Sequence, residues 1–161
     1  MGVLQALSQT AFSRFVAESL WAYPVALTCH AIGMGLLVGV VCIMNLRILG
    51  FFRPIPFPGL SMWFPVILVG FLVNLISGTT LYLSDPANLV KNWAFDVKIV
   101  LVFIGMILLL AMRATPAFKN IVNMPAAAIG GTPARTVAII SLIVWLSAIL
   151  SGRLTGYVTV D

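Results

Sequence analysis

Charge is scarce in this chain: nine Lys and Arg and four Asp and Glu among 161 residues, against 61% hydrophobic residues and a mean hydropathy of +1.14. A soluble domain of this length needs far more charge to cover its surface, so the class expected is an integral membrane protein. At ~20 apolar residues per crossing there is room for about four spans and no separate soluble catalytic domain. Histidine is scarcer still, His30 being the only one. No serine, cysteine or carboxylate therefore has a histidine partner at catalytic spacing; Cys29 adjoins His30, but sequence neighbours point apart on a helix. Cys29 and Cys42 fall on one predicted helix, roughly 20 Å apart at ~1.5 Å per residue, too far for a bridge within the chain. The N-terminus lacks a basic segment followed by a short apolar core and a small-residue cleavage site, so the first span is expected to be an uncleaved anchor. The net charge of +5 forms no aromatic-interleaved basic cluster, which argues against a nucleic-acid partner.

What is present is apolar runs and punctuation. Residues Val3 to Ser19 mix Val3, Leu4, Leu7, Phe12, Phe15 and Val16 with Gln5, Ser8, Gln9, Arg14 and Glu18. That pattern is too polar to span and predicts an amphipathic helix over 3–19 lying at the membrane interface. Trp21 and Tyr23 mark an aromatic belt, and Pro24 suits a first helical turn. Spans are expected over about 21–46, 61–83, 93–112 and 134–157, within one membrane domain covering 1–161. The first ends before Arg47 and Arg53 and is followed by Pro54-Ile-Pro-Phe-Pro-Gly59, which cannot continue a helix. The expected fold is an all-α four-transmembrane-helix bundle with an N-terminal interfacial helix. The loops after spans one and three carry Arg47, Arg53, Arg113, Lys119 and Arg135, whereas the other side carries Arg14 and Lys91. This asymmetry predicts that the first group faces the cytoplasm and that both termini lie outside.

An ionisable group inside a span points to function. His30 lies roughly 10 Å below the outer interface marked by Tyr23, Lys98 roughly 7–8 Å below Trp93, and Arg153 roughly 6 Å from Tyr157, at ~1.5 Å per residue. An imidazole below two cations matches the polarity of haem b, with nitrogen on iron and cations on the propionates. At 100° per residue Tyr23, Ala26, Gly33, Met34, Leu37 and Val41 share the His30 face, and Gly33 is expected to leave space for a flat macrocycle. Gly35 and Gly39 point the other way as a small-xxx-small packing pair, while Gly70, Asn74 and Gly78 make a small and polar stripe in span two. The bland alternatives are a histidine hydrogen-bonded to a neighbouring helix and two cations that snorkel to headgroups. The seven methionines are scattered and read as core filler. A second axial ligand is missing: Met34 shares the helix of His30, and Met106 lies deeper. A partner chain or an open position is expected instead.

The run Thr28-Cys-His-Ala-Ile-Gly-Met-Gly-Leu-Leu-Val-Gly39, then Ala94-Phe-Asp-Val-Lys98, then Ser151-Gly-Arg-Leu-Thr-Gly-Tyr157, resembles a family of small four-span bacterial inner-membrane proteins of uncharacterised function. More distantly, the first-span histidine and the lysine opening a later span are similar to the copper-resistance D type membrane domain and to HemJ-type protoporphyrinogen oxidases. The latter resemblance implies His30 as a haem b ligand and Lys98 as a carboxylate partner. Family members carry another histidine near the end of span three, where this chain has Ala111-Met-Arg-Ala-Thr115. The function expected is a haem-b-binding subunit moving electrons between a periplasmic-side partner and the quinone pool. It would contact quinone and sit in a larger complex or homo-oligomer. The alternatives are a cofactor-free structural subunit and, more weakly, a copper or small-solute transporter.

Overall fold

The computed structural model describes residues 6, 8–51, 60–114 and 133–158, and among these every regular element is helical. The elements are α1 Ala11–Glu18, α2 Ala22–Ile48, α3 Leu60–Ser84, α4 Pro86–Leu89, α5 Trp93–Ala114 and α6 Pro133–Leu154. Helices α2, α3, α5 and α6 are each long and apolar enough to cross a bilayer, so the chain is a multi-pass membrane protein. Without water in the hydrocarbon, a backbone must satisfy its own polar groups, and a helix does so within one segment.

The spans match the sequence reading to within a turn, with informative exceptions. Helix α2 runs on to Ile48, taking Arg47 into its last turn, where a cation favours the C-terminal carbonyls. It stops because Gly50, at φ 100°, takes the left-handed conformation that only glycine adopts cheaply. The fourth span ends at Leu154, not Tyr157, because Thr155, Gly156 and Tyr157 close as turns. The expected helix over 3–19 is corrected too. Gln9 and Thr10 interrupt it, and Thr10 starts α1 afresh by accepting from the Ser13 amide at 3.3 Å. Positions 1–5 and 7 of that stretch lie outside the described residues, as do 52–59, including the Pro54–Gly59 turn and Arg53, and 115–132, including Lys119.

Packing divides the bundle into two hairpin-like pairs. Helix α2 packs closely on α3 and α5 on α6, α2 meets α6, and α3 makes little contact with α5. The first pair is drawn together by missing side chains. A methyl at Gly33 would meet the Asn74 amide nitrogen at 2.7 Å, and one at Gly70 would meet the Leu37 nitrogen at 2.7 Å. In the second pair Trp145 lies against Gly105, where a methyl would meet its ring at 2.7 Å. The central core is Leu37, Val38, Val41, Met44, Ile67, Leu109 and Trp145. Beneath the Gly105–Trp145 seat, the buried amide of Asn45 donates to Ser141 Oγ at 2.9 Å and joins α2 to α6. A smaller cluster of Ile48, Met112 and Ala138 closes the opposite end of the bundle from His30. Helix α1 packs on α3 and α2 through its buried Ser13 and Val16, leaving Phe12 and Phe15 exposed.

Candidate functional site

His30 sits two turns into α2, and side chains or backbone from α3 and α5 reach it. Its Nδ1 lies 3.2 Å from the Asn74 carbonyl and 3.2 Å from Ser77 Oγ, both on α3. Ser77 already gives its hydroxyl proton to the Val73 carbonyl at 2.6 Å. Both neighbours of Nδ1 therefore accept, which assigns the ring proton to Nδ1 and the free lone pair to Nε2. Lys98 Nζ, from α5, donates to that lone pair at 3.1 Å. The stem of Lys98 lies across Gly152 of α6, where a methyl would touch its Cδ at 3.2 Å. On the other side, a methyl at Gly78 would meet His30 Cε1 at 3.0 Å. Two glycines on two helices thus clear the space in which imidazole and amine meet.

The pair opens on a cleft of about 1330 Å³ whose wall includes Met34, Phe71, Trp145, Tyr82 and Arg153. That is room for a ligand of drug size or larger. Ring stacking of Tyr82 on Phe95, with centroids 5.7 Å apart, bridges α3 and α5 near the same end. Asn92 secures that end from beside α5. Its side chain accepts from the Ala94 amide at 3.1 Å and donates to the carbonyls of Thr155 at 2.9 Å and Val158 at 3.3 Å. The start of α5, which carries Lys98, is thereby tied to the end of α6, which carries Gly152.

Set against the sequence expectations, His30 and Lys98 come together and Met34 lines the same cleft. Arg153 is at the mouth, exposed, with its guanidinium 5.8 Å from the Tyr157 ring centre. Gly33 needs correction: it is buried against α3 backbone and leaves no space for a macrocycle. Gly35 and Gly39 also differ from expectation, since nothing lies within 4 Å of a methyl placed on either. Sequence reasoning missed Ser77, the Asn74 carbonyl, Gly152 as the bed of Lys98, and Asn92. The stripe of Gly70, Asn74 and Gly78 was the one signal available for α3, and all three positions take part, Gly70 in packing and the other two around the imidazole.

Among the described residues no three His, Cys, Asp or Glu side chains converge as a metal cage. The one imidazole of the chain, His30, is oriented by a backbone carbonyl, as metal-ligating histidines commonly are. That arrangement fits one-sided ligation through Nε2, provided Lys98 swings away. No protein-family model, curated protein or solved structure matches the chain.

Proposed function

We propose that this chain is a haem-b-binding subunit of the bacterial inner membrane, passing electrons between a partner on the His30 side and the quinone pool. The observation that carries the reading is the Nδ1 hydrogen bond to the Asn74 carbonyl, which leaves the ring's lone pair on Nε2, beside Lys98 at the wall of the cleft. His30 would hold the iron, and Lys98 and Arg153 would meet the propionates. When bound, haem supplies a one-electron couple that no side chain here provides. The chain's own residues do the rest. Asn74 and Ser77 fix the ring's tautomer and direction. Gly152 lets the long Lys98 stem lie flat, so its amine can move from Nε2 to a carboxylate without disturbing α6. Phe71 and Trp145 line the cleft with apolar surface that would shield a bound haem from water. The loop charges favour an orientation with the His30 end periplasmic.

The test is spectroscopic. Protein purified with haem supplied should show a Soret band and reducible b-type α/β bands, and His30→Ala should lose them. Gly78→Val, which pushes on the imidazole without removing it, should weaken haem retention by about 10–100-fold, as displaced outer-shell partners do. A folded wild type that stays colourless with haem supplied would end this reading.

A second reading is favoured by the Lys98–His30 contact itself. The amine keeps further N–H donors beside an apolar cleft, so the pair can hold the carbonyl oxygen of a quinone directly, with no metal. Quenching of Trp145 emission by a soluble quinone, lost in Lys98→Met and present in colourless protein, would select it.

A further inference from the structure

The end of the bundle opposite His30 has cations and no counter-charge. Arg47, Arg113 and Arg135 flank the buried cluster of Ile48, Met112 and Ala138, arriving from α2, α5 and α6. Arg113 stacks its guanidinium 3.8 Å above the Phe64 ring. Arg135 Nη2 donates to the Leu49 carbonyl at 3.1 Å. Arg47 Nη1 is buried and has no acceptor among the described residues. A charged donor held out of water without an acceptor is costly, and a snorkelling arginine would avoid the cost by putting its head in solvent. Arg47 does not. The sequence also offers nothing to neutralise it: residues 19–84 and 97–160 contain no Asp or Glu at all, loops included.

We infer that this end is a binding site for the phosphate of an anionic glycerophospholipid, held between Arg47 and Arg135. Guanidinium forks match phosphate oxygens in pairs, and Arg47 Nη1 supplies a buried donor that no described residue satisfies. The apolar surface that continues from the site, with Phe51 and Leu110 exposed, suits acyl chains and not a free ion. Basic pockets between spanning helices recognise anionic headgroups on this physical basis. The site lies at the other end of the bundle from the haem reading and does not depend on it.

Detergent-purified full-length protein, exchanged against equimolar phosphatidylglycerol and phosphatidylcholine, should retain phosphatidylglycerol preferentially when bound lipid is counted by native mass spectrometry. Arg47→Gln and Arg135→Gln should each lower that preference by roughly fivefold, the worth of one arginine near an anionic surface. Lys91→Gln, at the His30 end, should leave it unchanged, and a thermal melt of each variant confirms folding. Equal retention of the two lipids, or an equal loss on Lys91→Gln, would overturn the site. Stabilisation by inorganic phosphate matching that of phosphatidylglycerol would overturn the lipid assignment.

Discussion

His30 is held by three atoms outside its own helix, two on α3 and one on α5, and its behaviour in variants follows from which atom is lost. Ser77→Ala removes one of two acceptors for Nδ1 and leaves the Asn74 carbonyl, so haem retention should fall less than in Gly78→Val. Asn45 offers a contrast in the core. Its Oδ1 is buried without a partner while its amide bonds Ser141, so the pair contributes little net stability. Asn45→Leu combined with Ser141→Ala should change unfolding stability in detergent by less than about 1 kcal/mol, whereas Ser141→Ala alone leaves the amide orphaned and should cost more. Both His30 and Lys98 were legible in the sequence, because an ionisable side chain in an apolar run has no ordinary reason to be there. Ser77 and Asn74 were not, since one partner is a backbone carbonyl, which every residue type possesses. Gly33 was misread for a related reason: a missing side chain looks the same whether it makes room for a ligand or for a neighbouring helix.

At the level of elements, the helices were legible through length and hydropathy, while their ends depended on local contacts that composition does not encode. Asn92 illustrates this, capping α5 and clasping the turn after α6 at once. Asn92→Ala should lower stability by about 1 kcal/mol from the lost cap alone, and by more once the Thr155 and Val158 carbonyls lose their donor. Thermal unfolding of the detergent-solubilised protein measures it. The glycines of α2 sort by direction. Gly33→Leu forces α2 and α3 apart against backbone and should destabilise by about 1–3 kcal/mol or more. Gly35→Leu meets open space, and its effect on the monomer should stay within about 0.5 kcal/mol.

For the whole molecule, the four span-length helices among the described residues, each crossing once, would put the start of α2 and the end of α6 on one side of the membrane. Which side follows from the arginine-bearing end, and the proposed orientation predicts that a periplasm-dependent reporter fused at either terminus is active. Activity of a cytoplasm-dependent reporter at both termini would invert it. The bundle carries two chemically distinct ends, an imidazole–amine pair beneath a wide cleft and a carboxylate-free set of guanidiniums. The second was invisible as a site in sequence, where the same arginines read only as an orientation signal, and became one through the buried Nη1 of Arg47.

The sparse contact between α3 and α5, bridged near the His30 end by the Tyr82–Phe95 stack, has a thermodynamic consequence. A seam between two helix pairs faces acyl chains along its length, and an amphiphilic ligand of the proposed kind would reach His30 sideways from the bilayer. Occupancy is then governed by the ligand's mole fraction in the lipid phase. An affinity titrated in micelles should drift upward in apparent Kd as detergent is added at constant ligand, and should become constant when ligand is counted per amphiphile instead of per litre.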